Sequence, residues 1–175
     1  MNVPPVIRCG EDHLPAIRTI YNDAIENTTA LYEYRPRSAE TIRVWWEGKR
    51  QAGYPVLGIE RPQGGLAGFA SWGPFRPFPA FKYSVEHSVY VAADCRGGGI
   101  GRRLLESIVA EAVSHQLHLL IGGIDSSNAA SIALHRSLGF EHAGTIRQAG
   151  FKFGRWLDLE FWQLCLATPT QPLDG

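Results

Sequence analysis

The chain has 175 residues, 45% of them apolar, and 17 Lys and Arg balance 17 Asp and Glu. That length suits one domain with a real core. The even charge argues against a nucleic-acid binder, and no run of about 18 uninterrupted apolar residues exists to cross a membrane. Cys9, Cys95 and Cys165 are odd in number and lack C-x-x-C spacing, which argues against a disulfide framework and against a metal site. The opening Met1-Asn2-Val3-Pro4-Pro5 has no charged and then apolar leader, so a cytoplasmic chain with reduced thiols is expected.

Val6 to Cys9 reads as a first strand. Asp12 can cap a helix in which Leu14, Ile17, Tyr21, Ala24 and Ile25 share a face, with Pro15 tolerated in the first turn. A polar and aromatic loop, Asn27 to Tyr34, precedes a second helix from Ser38 to about Gly53. Val56 to Glu60 and Leu66 to Trp72 flank Pro62-Gln63-Gly64-Gly65 and predict an antiparallel hairpin. After the proline-broken loop Gly73 to Ala80, Tyr83 to Val91 makes the next strand. Ile100, Leu104, Leu105, Ile108, Val109, Ala112 and Val113 repeat at helical period. Leu119 to Ile124 reads as a central strand covered on both faces. A helix from about Asn128 to Leu138 stops at Gly139, a left-handed cap. Thr145 to Gln148 and Leu157 to Leu166 close an α/β fold with a mixed sheet, and residues 167–175 read as a disordered tail.

The chemistry concentrates where Val89-Tyr90-Val91 leads, after four residues, into Arg96-Gly97-Gly98-Gly99-Ile100-Gly101-Arg102-Arg103. Glycines remove side chains that would keep an anion from the backbone, and the helix start offers unpaired N–H groups at the positive end of its dipole. A dinucleotide fingerprint fails on spacing, because the third glycine would fall at Arg102 or Leu104. A Walker loop fails because Arg102 follows Gly101. The remaining pattern, Arg-x-x-Gly-x-Gly, resembles the coenzyme A diphosphate loop of the GNAT N-acetyltransferases. A tight strand-to-helix turn without a ligand is the plain alternative.

The element order is also similar to the GNAT order over residues 5 to 166, which implies the GNAT fold: a mixed central sheet flanked by helices. Asn128-Ala129-Ala130-Ser131 through Leu138-Gly139-Phe140 resembles the family's Asn-x-x-Ser helix, with His135 where most relatives carry a tyrosine. Together with Glu86-His87-Ser88 and Lys152-Phe153-Gly154-Arg155, this resembles the phosphinothricin and methionine-sulfone N-acetyltransferase branch.

The resemblance implies acetyl-CoA as co-substrate and no metal. Val89, Tyr90, Val91, Arg96, Gly97, Gly98, Gly99, Ile100, Gly101, Arg102, Asn128 and Ser131 would contact it. Glu86 would serve as general base and His135 as a second catalytic group. Arg76, Pro77 and Phe78, with Tyr32, Glu86, His87 and Ser88, would surround a small amine acceptor bearing a carboxylate, and aromatics including Trp72, Phe75 and Phe151 could wall it. Lys152 and Arg155 would approach the acceptor or a partner subunit, since a homodimer is implied. Plainer roles stay open: Asn128 as a cap only, Glu86 as a solvated strand-end charge, Arg76 as a loop arginine, His135 as a core hydrogen-bonding residue. Two other functions also stay open, acetylation of peptide N-termini and non-catalytic acyl-CoA binding.

Overall fold

The computed structural model describes residues 4–174; Met1, Asn2 and Val3, on which part of the leader argument rested, lie outside the described residues. Among the described residues, seven strands form one mixed sheet in the order β1-β2-β3-β4-β5-β7-β6. The chain separates into two compact units, one running to Trp72 and including Ser88–Ile108, the other made of Gly73–His87 and the residues from Val109 onward.

In the first unit, β1 (Val6–Arg8) pairs antiparallel with β2 (Val56–Glu60), and β2 with β3 (Leu66–Pro74). The helix α1 (Leu14–Asn27) starts differently from expectation. Asp12 lies inside a 3₁₀ turn, Glu11–His13, and His13 takes the cap position, its Nδ1 accepting from the Gly10 N–H at 3.0 Å. The helix α2 (Ala39–Gln51) begins as expected, with the Ser38 hydroxyl accepting from the Thr41 N–H at 3.0 Å. Ile17, Ile20 and Tyr21 of α1 and Ile42 of α2 bury their apolar stripes against Val56, Leu66 and Phe69. Full burial of each such side chain stabilises by about 1.5–3 kcal/mol. Tyr21 meets the Phe69 ring edge-on, with centroids 4.8 Å apart. The helix α3 (Ile100–Ser114) sits close over β3: a Cβ on Gly68 would lie 2.7 Å from the Tyr90 carbonyl oxygen and 3.1 Å from Ile100 Cγ2. Only glycine permits that approach.

In the second unit, the first half of β4 (Ser84–Val91) runs parallel to β5 (Leu119–Asp125), and their register ends at Glu86↔Ile121. The strand β7 (Arg155–Cys165) pairs antiparallel with β5 on one side and with β6 (Glu141–Lys152) on the other. β6 is longer than the four residues expected, because two register shifts, at His142/Gly144 and Ile146/Gly150, interrupt its alternation without ending it. The helix α4 (Ala129–Ser137) ends before Gly139, whose φ of +86° is the left-handed cap expected. Beyond β7, the Thr168 hydroxyl donates to the Leu117 carbonyl, and the Leu173 N–H donates to the Tyr83 hydroxyl at 3.1 Å.

Candidate active site

The glycine segment is braced from two directions. Arg61 grips Asp94 through both terminal nitrogens at 2.7 and 2.8 Å, while its Nε donates to the Leu66 carbonyl at 2.8 Å. Arg96 donates to Asp23 of α1 at 3.2 Å and to the Val91 carbonyl at 3.3 Å. Between these anchors, Gly97 and Gly99 adopt φ of +79° and +80°, a conformation that strains any residue with a Cβ. Gly97, Gly98 and Gly99 are exposed, and a Cβ at 97 or 99 would meet nothing within 4 Å. The glycines therefore leave bare, accessible main chain, and buried Ile100 anchors the helix start beneath it. The first N–H groups of α3 have no partner within the helix, which suits a diphosphate at that end. Arg96 and Arg102 add charge, the latter paired with Glu106 at 2.9 Å. These residues fit the diphosphate of coenzyme A.

Glu86 and His87 are successive residues of β4, so their side chains leave opposite faces of the sheet. Glu86 is half-buried, and burial raises its carboxyl above the ordinary range, with the Arg76 charge working in the other direction. His87 and His135 are 6% and 5% exposed, and their Nε2 atoms stand 2.9 Å apart. His135 Nδ1 lies 2.8 Å from the Ser131 carbonyl oxygen, which can only accept, so Nδ1 carries the proton. The neutral His135 ring then has a bare Nε2, and His87 must donate to it. Burial holds both rings below the usual histidine value, His87 at about 3. Both nitrogens of His135 thus have partners inside the protein.

Asn128 caps α4, its Oδ1 accepting from the Ser131 N–H at 3.1 Å. Next to it, Asp125 is buried at the end of β5 and accepts from the Ser127 N–H and hydroxyl at 2.7 and 2.6 Å. Arg155 reaches the same Ser127 hydroxyl at 3.2 Å. Arg76 is exposed, its guanidinium 4.3 Å above the Phe75 ring, and Pro77 and Phe78 beside it are exposed as well. Tyr32 is half-buried, and the Ser88 side chain hydrogen-bonds Tyr21, a buried phenol pushed up to about 12. Trp72 is a core residue at 2% exposure and walls no accessible surface, contrary to expectation. Lys152 is also buried, with Nζ 5.0 Å over the Phe153 ring. Among the described residues, no group of three or more His, Cys, Asp or Glu could hold a metal ion.

Sequence reasoning missed Gly122 and Gly123, absorbed into an apolar run. A Cβ on Gly122 would lie 3.0 Å from His135 Nε2 and 3.1 Å from His87 Cε1, and one on Gly123 would lie 3.0 Å from Glu86 Oε1. Paired glycines inside a strand were the available signal, since glycine weakens a strand unless something approaches closely.

A sheet of this order with a bare glycine cradle at the start of α3 defines an acyltransferase that uses acetyl-CoA. The chain belongs to the acetyltransferase (GNAT) family, whose model matches residues 15–140. It is 47% identical, over 90% of this chain and 91% of the relative, to the L-methionine sulfoximine/L-methionine sulfone acetyltransferase of Pseudomonas paraeruginosa. The solved structure of a phosphinothricin acetyltransferase from Sinorhizobium meliloti in complex with AcCoA superposes with a TM-score of 0.94 at 32% identity, covering 99% of this chain and 95% of that one. That of a ribosomal-protein-alanine N-acetyltransferase from Brucella melitensis superposes with a TM-score of 0.90 at 52% identity, covering 93% and 99%.

Proposed function

We propose that the protein acetylates the α-amine of a small amino-acid-like acceptor with a carboxylate, of the methionine sulfone, methionine sulfoximine or phosphinothricin kind, by direct transfer in a ternary complex. The observation that carries this is the make-up of β4, one strand of 8 residues with a half-buried carboxylate, Glu86, near its start and Val89–Val91 at the end that leads to the cradle. Acetyl-CoA supplies the activated thioester. Arg96, Gly97, Gly98, Gly99, Ile100, Gly101 and Arg102 hold its diphosphate, and Val89, Tyr90 and Val91 pair with its arm as a neighbouring strand would. Asn128, whose oxygen caps α4, would meet the arm, with Ser131 beside it.

Glu86 takes the proton of the amine. An α-amine titrates near 7.7–8.0, so about a tenth is free base at neutral pH, a deficit of about 1.4 kcal/mol that a base removes. Holding amine and thioester together contributes more, about 7–11 kcal/mol in favourable cases. Arg76 grips the acceptor carboxylate through its planar guanidinium, with Pro77, Phe78, Tyr32 and Ser88 around the rest of the molecule. His87 and His135 act as a neutral buried pair behind β4 and not as acid or base; the engaged nitrogens of His135 support that role. The exposed Ile146, Phe151, Phe153 and Trp156 on the β6–β7 hairpin support a homodimer, with Arg155 at its edge. Free thiols at Cys9, Cys95 and Cys165 support a cytoplasmic location.

The name of the Brucella relative favours a second acceptor, the N-terminus of a protein. A thiol-release assay over L-methionine sulfone, L-methionine sulfoximine, phosphinothricin, free amino acids and alanine-initiated peptides decides between them. Turnover on the small acceptors, lost at least about tenfold at pH 7 in Glu86→Gln, supports the proposal. Turnover on peptides alone overturns the acceptor class, and binding of acetyl-CoA without turnover on any acceptor overturns the enzyme.

A further inference from the structure

We infer that Gly123 is a positioning residue for Glu86: the missing side chain in the middle of β5 lets the carboxylate rest against the strand at the depth its proton chemistry requires. The inference rests on the proposal that Glu86 is the base. Gly123 does not adopt a left-handed φ, so any residue could follow its backbone path. It is exposed, so no tight core excludes a side chain, and in a strand interior glycine costs about 0.5–1 kcal/mol against alanine.

What a Cβ there would meet supplies the reason. Glu86 Oε1 lies at 3.0 Å, Leu159 Cδ1 at 3.4 Å and Phe161 Cε1 at 3.9 Å. Leu159 and Phe161 belong to β7, and Phe161 is the ladder partner of Gly123 itself, so that side is fixed by the sheet. The carboxylate is the free end of a flexible side chain, and it is the group that yields. A methyl at 123 pushes it outward by a few tenths of an ångström, away from the strand. Two consequences follow from that one displacement. The carboxylate loses part of the burial that raises its proton affinity, and it leaves its aligned position. Misplacement by about 1 Å can cost about 10²-fold in rate, so a few tenths should cost about 3- to 10-fold.

Gly123→Ala tests this against L-methionine sulfone, or the best acceptor in the panel above. The expected result is a kcat lower by about 3- to 10-fold, with an unchanged KM for acetyl-CoA and a melting temperature no lower than the parent's. In the free protein, carbon NMR should show the Glu86 carboxyl titrating above the ordinary glutamate range in the parent and lower in Gly123→Ala, a readout independent of activity. A second variant guards against an unrelated packing effect. Glu86→Asp retracts the carboxylate by one methylene, so adding Gly123→Ala to it should cost nothing further. A wild-type kcat and an unmoved Glu86 titration in Gly123→Ala overturn the inference, as does a Gly123→Ala loss that multiplies in full with that of Glu86→Asp. Should Glu86→Gln keep wild-type turnover at pH 7, the assignment of the base fails instead, whatever residue 123 does.

Discussion

His87 donates through Nε2 to His135 Nε2 across 2.9 Å, and the two rings stack at 26° with centroids 5.2 Å apart. One carbonyl, that of Ser131, sets the direction of the whole chain of bonds, because it fixes the tautomer of His135 and so the donor role of His87. Phe140 closes the pair, its ring 5.3 Å from His87 and 5.0 Å from His135. Burial against that apolar wall opposes protonation of both rings, and a charge on His135 would oppose it further at His87, while the Ile121 and Ser131 carbonyls work in the other direction.

That opposition makes stability depend on pH. Folded, both rings titrate below the usual value, His87 at about 3; unfolded, each takes a proton near pH 6.5. Between those limits the unfolded chain binds more protons, so stabilisation is complete above about pH 6.5 and is lost as the pH falls. The slope is at most about 1.4 kcal/mol per pH unit for each ring. Urea midpoints measured from pH 7.5 to 5 should fall more steeply for the parent than for His87→Phe with His135→Leu. Equal slopes would remove the neutral pair from the account.

Gly122→Ala should destabilise the fold by about 1–3 kcal/mol, the usual penalty for overpacking. Its methyl would stand 3.0 Å from His135 Nε2 and 3.1 Å from His87 Cε1, two buried rings that hold each other and cannot swing away as a carboxylate can. Urea unfolding at pH 7.5 checks this, and an unchanged midpoint would show that the rings have slack.

Gly99→Val should weaken acetyl-CoA binding by at least tenfold and leave the domain folded. Its φ of +80° strains a residue with a Cβ by about 1–2 kcal/mol, and valine would cover main chain that glycine leaves open. Titration calorimetry with acetyl-CoA reads the affinity; parent-like binding in a folded variant would take the diphosphate away from this loop.

Arg76→Ala should raise the KM for carboxylate-bearing acceptors by about 10- to 100-fold, since a hydrogen bond to a charged group contributes about 1.5–3 kcal/mol. Arg76 is exposed and its contacts are to the neighbouring Phe75, so folding should not suffer. The discriminating measurement is an amidated acceptor. If it loses as much as the free acid, Arg76 does not hold the carboxylate.

The local chain carried a good deal of this molecule in readable form. Ser38 and Asn128 each cap a helix by accepting from an N–H three residues on, a contact that the sequence brings together by itself. The left-handed Gly139, the bare glycines at 97–99, the β2–β3 hairpin and the apolar face of α3 are local in the same way. Where local rules compete, they misled: Asp12 is a good cap residue, yet the 3₁₀ turn Glu11–His13 moved the helix start past it, and the bulges of β6 hid eight of its twelve residues from an alternation test.

By itself, then, the sequence determined the order of elements, their caps and the bare cradle, because each depends on residues within a few positions of one another. Only the tertiary structure decided that His87 meets His135 across 48 positions, that Gly122 and Gly123 clear space for a histidine pair on one face and a carboxylate on the other, and that Trp72 belongs to the core. Those outcomes depend on which side chains the sheet brings within van der Waals reach, and pairing register and packing are set between strands, not along one.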